Sequence, residues 1–306
     1  MPELPEVESM RRLLQNQLYG AKIVGFNAPF PVVVRYPEVA TMEKEVIGKT
    51  IECVDRRGKY LLLTLTSNLN KIPQTLIIHL KMRGILRVEK SDLPPAPYLC
   101  AKLALEDKRE LRFHDMWRWG GLWLVNAEEG FDPIPGLRDI GVEPLSPDFT
   151  VEVFAKQLTR KRGKLKPILL DQRTVAGVGN IYADESLHRA GLHPEKRVES
   201  LTEAEISRLH LALTAVLIEA VESGGAYAEL IAKANSTLED FSEVYKPKVY
   251  DREGLPCPTC EKPLTKFQLQ GRGTTFCPHC QPSTSAPTGQ TPEKSIRTER
   301  SVSAYV

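Results

Sequence analysis

The residues best suited to chemistry open the chain: Met1-Pro2-Glu3-Leu4-Pro5-Glu6-Val7-Glu8. A small residue after Met1 favours removal of the initiator methionine, which would leave Pro2 as a free secondary amine. An α-amino group titrates near ~7.7–8.0, so an appreciable share is neutral and nucleophilic at physiological pH. Lysine, near ~10.4, would need several kcal/mol of help from its surroundings to match that. A secondary amine attacking C1′ of a sugar forms an iminium, which acts as an electron sink. Glu3 adjoins that nitrogen and can serve as acid and base at the sugar. Taken alone, the same residues also fit a plain chain start, with Pro5 in the first turn of a helix.

The second constellation is Cys257-Pro-Thr-Cys260 and Cys277-Pro-His-Cys280, separated by sixteen residues. That spacing suits a four-cysteine zinc site. Each pair places two thiolates on one turn, and two turns close a tetrahedron around Zn²⁺ with no position left open. The metal is therefore expected to be structural, one ion per chain. A redox dithiol is the alternative reading, and His279, between two ligands, reads as a bystander.

These groups need elements to position them. Residues 6–19 read as a helix: Val7, Met10, Leu13, Leu14 and Leu18 keep helical spacing, and Gly20 supplies a stop. From Ile23 to Val125 the pattern changes to short β-rich runs, at 23–26, 60–66, 75–80, 85–88, 99–105 and 122–125. Gly and Pro punctuate them, which predicts an antiparallel sandwich. Pro133, Pro135, Pro144 and Pro147 mark a boundary, after which the chain reads as helical. Thr202 to Glu222 is the clearest helix, with Thr202 as N-cap, Glu205 completing a capping box and Gly224-Gly225 as terminator. The predicted class is α+β, with a β-sandwich domain (1–135), a helical domain (146–248), a zinc finger (249–282) and a disordered tail rich in Ser, Thr and Pro (283–306).

Composition sets the bounds. A chain of 306 residues is long for one core, and its formal net charge of +2 does not by itself declare a nucleic-acid partner. Local charge says more: Lys156, Arg160, Lys161, Arg162, Lys164 and Lys166 form a basic run without acids, and Arg56, Arg57 and Lys59 form a second cluster. Such runs are also common as solvated faces. No signal peptide and no apolar run near the ~20 residues of a membrane span are present, so a cytoplasmic protein is expected. Cys53 and Cys100 are expected to be buried thiols and not a disulfide.

The amino-terminal octapeptide, Gly58-Lys-Tyr-Leu-Leu-Leu63, His79-Leu-Lys-Met-Arg-Gly84, Gly177-Val-Gly-Asn-Ile-Tyr-Ala183 and the double CxxC occur in one order. In this the chain resembles the formamidopyrimidine-DNA glycosylase family from Met1 to about Gln281. Leu4 resembles this branch more than the related endonuclease VIII branch. The resemblance implies a helix–two-turns–helix domain and a bifunctional glycosylase and AP lyase of base excision repair. It would act on damaged double-stranded DNA as a monomer, through a Schiff base on Pro2 and then β,δ-elimination. Catalytic roles are implied for Pro2, Glu3, Lys59 (a strand lysine at the phosphate beside the lesion) and Arg272 (on the zinc hairpin, gripping the flanking phosphates). DNA contacts are implied for Glu6, His79, Met82 as a wedge, Trp117, Arg118, Trp119, Lys166 and Asn180. Glycines around Asn180 are expected to bring backbone N–H groups and a helix N-terminus to a phosphate.

Two departures bear on the substrate. The family's Asp-Pro-Arg-Arg-Phe-Gly element is here Asp115-Met-Trp-Arg-Trp-Gly120, so Trp117 replaces the arginine that reads the orphaned cytosine and Trp119 replaces the phenylalanine wedge. Weaker opposite-base discrimination is expected, unless Arg118 compensates from the next position; in a strand that shift would reverse its face. The usual lid before the zinc module is also short, with only residues 242–248 available, while residues 226–235 look like an insertion. A shift from 8-oxoguanine towards ring-opened purines, hydantoins or oxidised pyrimidines would follow. A non-catalytic lesion-binding protein on the same scaffold, or a zinc-ribbon protein acting on RNA, are the rival readings.

Overall fold

The computed structural model describes residues 1–67, 72–226 and 245–283. The insertion beyond Ala226, residues 242–244 of the short lid and the tail from 284 lie outside the described residues. The first helix, α1 (Leu4–Leu18), starts two residues earlier than its pattern suggests, with Pro5 in its first turn. It is followed by β1 (Ile23–Asn27), β2 (Val34–Tyr36), α2 (Val39–Val46), β3 (Thr50–Arg57), β4 (Tyr60–Thr66), β5 (Gln74–His79), β6 (Ile85–Lys90), β7 (Leu99–Leu105), β8 (Arg109–His114) and β9 (Gly121–Asn126). The strands form a four-stranded sheet, β1-β7-β8-β6, and a five-stranded sheet, β2-β9-β5-β4-β3. Their pairings are antiparallel except the short parallel contact of β2 with β9.

Alternation explains how the sheets pack. In β4, Leu61, Leu63 and Leu65 are fully buried between the sheets. Tyr60 and Leu62 face the other way, onto Ile134 and Leu137. Val7, Met10, Leu13, Leu14 and Leu18 of α1 join the inter-sheet core. Leu4 does not: it is buried in the second core, that of the helical domain. One helix is thus shared by two cores, and its first turn is fixed at their seam. Cys100 is buried as expected, but Cys53 is only half-buried; neither is in a disulfide.

A short helix, α3 (Pro135–Arg138), packs through Leu137 on the five-stranded sheet, and the helical domain comprises α4 (Val151–Thr159), α5 (Leu165–Leu170), α6 (Asn180–Ala190) and α7 (Glu203–Glu222). The capping box on α7 is present: Glu205 N–H donates to Thr202 Oγ1 at 3.3 Å and Thr202 N–H to Glu205 Oε2 at 3.0 Å. The zinc module carries a hairpin of β10 (Thr265–Leu269) and β11 (Arg272–Phe276). Its two-residue turn, Gln270-Gly271, has positive φ at both positions (48° and 74°), as a tight hairpin of matching twist requires, so glycine suits the second. No helix among the described residues is long and apolar enough to cross a membrane.

Candidate active site

The seam between the cores holds carboxylates where apolar groups would be expected. Glu3 and Glu6 are 2% and 1% exposed. Glu3 Oε1 accepts from Ile181 N at 3.1 Å and Oε2 from Tyr182 N at 3.4 Å, so the carboxylate sits on the first turn of α6. The helix dipole favours a negative charge there. Glycine is required at position 179, because a Cβ would collide with the Glu3 carboxyl. Glu6 Oε2 accepts from Glu3 N at 2.7 Å, while its Oε1 accepts from the Tyr182 hydroxyl and from Ala226 N.

In the Gly-Val-Gly-Asn segment the Ile181 and Tyr182 N–H groups are taken by Glu3, and Gly177 N donates to Gln172 Oε1 at 2.9 Å. Lys59 differs from its strand expectation. It lies in the turn between β3 and β4 and not on a strand, is 6% exposed, and donates from Nζ to Val178 O at 3.0 Å. Asn180 Nδ2 donates to Gly273 O at 2.9 Å, tying α6 to the zinc hairpin.

Burial dominates the proton affinities. Desolvation raises the Glu3 carboxyl despite opposing attraction from Lys59 and two backbone donors. Glu6 is raised by burial and by the neighbouring Glu3 charge. Burial lowers Lys59 against the pull of Glu3 and Glu6. The amino group at the chain start, on Met1, is also lowered by burial. Each shift favours the neutral form of its group.

Pro2 and Glu6 open onto a cavity of about 620 Å³ whose other walls include Met82, Arg83, Asp115, Trp117 and Tyr250. Met82 is half-buried in the turn after β5. His79 is buried; its Nδ1 accepts from Lys81 N at 2.9 Å, and burial with nearby Lys81 and Lys59 takes its pKa down to about 3. Trp117 and Trp119 are exposed. Arg118 stands in a loop, not a strand, with φ of 57°, and its guanidinium lies 3.6 Å from the Phe30 ring centroid. A strand-face argument therefore does not apply to it.

Lys166 requires correction. Grouped with DNA-contacting side chains by its place in a basic run, it is fully buried. Its Nζ pairs with Asp184 at 2.7 Å and donates to Gly273 O and Thr274 Oγ1, both at 2.9 Å. Asp184 Oδ2 accepts from Thr275 N at 3.0 Å. Lys166 thus fastens the hairpin to the helical domain and leaves exposed Arg272 at its tip.

In the zinc module the sulfurs of Cys257, Cys260, Cys277 and Cys280 all lie within 4.8 Å of one another. Cys257–Cys280 is 3.9 Å and Cys260–Cys277 is 3.5 Å, close to the edge of roughly 3.8 Å for a tetrahedron with Zn–S bonds of about 2.3 Å. The donor set fits one structural Zn²⁺. His279 is exposed, whereas His188 Nε2 lies 3.2 Å from Cys257 Sγ. A second cavity, of about 880 Å³, lies between α6, α7 and this module, and neither Pro2 nor Glu3 lines it.

Three family models match along the chain: the formamidopyrimidine-DNA glycosylase N-terminal domain (1–122), its H2TH domain (140–231) and the zinc finger found in FPG and IleRS (254–282). The chain belongs to the formamidopyrimidine-DNA glycosylase family. A member from Pelotomaculum thermopropionicum is 41% identical over 281 residues, covering 92% of this chain and 99% of that protein. One from Symbiobacterium thermophilum is 40% identical, covering 92% and 90%. The crystal structure of MutM (Fpg) from Thermus thermophilus matches with TM-score 0.79 and 42% identity, over 92% of this chain and 98% of that one. Wild-type Lactococcus lactis Fpg, in complex with DNA containing N7-benzyl-Fapy-dG, matches with TM-score 0.82 and 35% identity, over 92% and 100%.

Several residues that build the site escape sequence reasoning. Gln172 pins the loop through both amide atoms, donating to Val178 O at 2.8 Å besides accepting from Gly177. Glu185 accepts from Lys248, Val249 and Tyr250 N at 2.8–2.9 Å and anchors the entry to the zinc module. The available signal was Asp184-Glu185, two acids directly after the apolar Ile181-Tyr182-Ala183 run of α6.

Proposed function

We propose that this glycosylase excises oxidised purines, formamidopyrimidines and 8-oxoguanine, through an imine on Pro2. The observation that carries the reading is the placement of Pro2 on the cavity wall directly beside buried Glu3. With Met1 removed, the neutral Pro2 nitrogen attacks C1′ of the damaged nucleotide and the C1′–N bond breaks; its electrons leave with the base, which takes up the proton that the Pro2 nitrogen releases. Glu3, whose proton affinity burial raises, gives a proton to the sugar ring oxygen; the ring opens to an iminium. The ionised carboxylate then takes a proton from C2′. β-Elimination expels the 3′ phosphate; loss of a second proton, from C4′, lets δ-elimination expel the 5′ phosphate, and hydrolysis frees Pro2.

Arg272, exposed on the hairpin, is suited to the flanking phosphates, because a guanidinium matches phosphate geometry. Lys59 supports Glu3 as a nearby positive charge. Extrusion of the base costs a few kcal/mol. Met82, on the cavity wall, would fill the gap. The related Lactococcus lactis protein has been crystallised with Fapy-dG-containing DNA, and a MutM with carbocyclic 8-oxo-G DNA, which supports these substrates. We place the action in the cytoplasm, on the nucleoid, as a monomer.

The test is borohydride trapping on a duplex containing 8-oxoguanine opposite cytosine, beside an abasic duplex. Covalent complexes on both are expected. Trapping on the abasic duplex alone would leave the amine chemistry standing and remove 8-oxoguanine as the substrate.

A further inference from the structure

The side of α6 that meets the zinc module carries polar residues where packing alone would call for apolar ones. Asp184 Oδ2 accepts from Thr275 N on the hairpin, and Glu185 accepts from Lys248, Val249 and Tyr250 N at the module's entry. Those carboxylates hold backbone. One turn on from Asp184, and so on the same side of the helix, His188 meets a metal ligand instead. Its Nε2 lies 3.2 Å from Sγ of Cys257, a residue only 1% exposed. The cluster of mutually close ligand atoms contains the four sulfurs and not His188. The tetrahedral set is complete without the imidazole, which therefore faces a ligand and not the metal's own position.

We infer that His188 is a positioning residue of the zinc site: its Nε2–H donates to the Cys257 thiolate and so strengthens retention of the metal. The direction of the bond follows from the chemistry. A metal-bound cysteine is a thiolate and can only accept, so the ring hydrogen belongs on Nε2. Four thiolates around one Zn²⁺ leave an excess of negative charge, and each hydrogen bond to sulfur spreads part of it. Backbone groups supply two such bonds, Thr259 N to Cys257 and Cys280 N to Cys277, both at 3.4 Å. Both come from the cysteine turns themselves and form whenever those turns form. The His188 bond reaches in from another domain, so it ties retention of the metal to the seating of the module on α6. Gln281 completes that seating just beyond the helix end: Oε1 accepts from Cys277 N and Nε2 donates to Leu192 O, both at 2.9 Å.

The test is a competitive zinc titration of the full-length protein against a chromogenic chelator, for wild type, His188→Phe and His188→Gln. Phenylalanine keeps a planar ring without the N–H; glutamine returns a side-chain N–H near the place of Nε2. His188→Phe should weaken zinc binding by about 10- to 100-fold, the usual cost of losing a hydrogen-bond partner of a metal ligand. His188→Gln should recover most of that loss. With Co²⁺ in place of Zn²⁺, all three proteins should share the visible spectrum of four sulfur ligands. The ring tautomer, read from the nitrogen chemical shifts of His188 in wild type, needs no variant and should place the hydrogen on Nε2. Zinc affinity of His188→Phe within about threefold of wild type would overturn the inference. So would equal losses in both variants, which would leave His188 a packing residue, or a ring hydrogen found on Nδ1 alone. A wild-type cobalt spectrum of three sulfurs and one nitrogen would make His188 a ligand and overturn it as well.

Discussion

The amino-terminal seam and the 115–120 loop break the same rule in opposite directions. The seam buries two carboxylates and a lysine; the loop exposes two indoles. Each departure costs stability locally and is held in place by ordinary backbone hydrogen bonds: the α6 N–H groups for Glu3, the Trp117 and Gly120 N–H groups for Asp115. The difference separates the two tasks. Proton transfer needs groups desolvated until they titrate near neutral pH. Holding a nucleic-acid base needs an apolar face open to solvent.

The largest effect should come from neither region but from the metal that holds the hairpin. Cys277→Ser, or chelation, forfeits much of the roughly 10–16 kcal/mol that structural zinc supplies. DNA affinity should vanish in a gel-shift assay while far-UV circular dichroism keeps the helical signal, because no zinc cysteine belongs to the helical core. Concurrent loss of the helical signal would contradict this. Within the seam, Glu3→Gln should lower the glycosylase rate by about 10²–10⁴. It also removes a buried charge, so its Tm should stay level or rise; a large drop would mean Glu3 is chiefly structural.

Lys166→Met removes the ammonium that faces buried Asp184, at a cost of about 3–5 kcal/mol. Adding Asp184→Asn should recover much of that in denaturant melts, and no recovery would refute the pairing. His79 gives a smaller, pH-dependent effect. Its folded pKa of about 3 lies below the 6.5 of the free side chain, so the unfolded chain gains the proton first. Stability from this group is complete above 6.5 and falls as pH drops towards 3. His79→Gln should flatten that fall, and an unchanged slope would exclude His79. Smallest is Trp119→Ala, expected to leave Tm nearly unchanged because its side chain supports no core.

Elements with one dominant pattern are legible in the chain: α7 through its capping box, β4 through alternation, and the zinc module through cysteine spacing. β8 is not. Its Arg-Glu-Leu-Arg-Phe-His run hides an inward Arg112, 1% exposed and paired with Glu89 and Glu110 at 2.8 and 2.7 Å. Lys59 reads as part of a strand because Tyr60 begins one directly, and nothing local announces the turn. Lys166 is hidden by company: in a run of basic residues, charge alone cannot say which one turns inward. The octapeptide identifies the candidate nucleophile. That Leu4 plugs the helical core and fixes the seam depends instead on contacts far apart in sequence, as in Leu4 N–H to Gly177 O. Such pairings leave no local signature.

The central claim is that the nucleophile is the Pro2 amine, and Lys59 is its rival: a lysine at the same seam whose proton affinity burial lowers. The direct measurement is peptide mapping by mass spectrometry of the borohydride-reduced complex with abasic DNA. The sugar remnant should sit on the amino-terminal peptide, at the Pro2 nitrogen, and should be absent when an added N-terminal residue blocks it. A remnant on the Lys59 side chain would contradict the account.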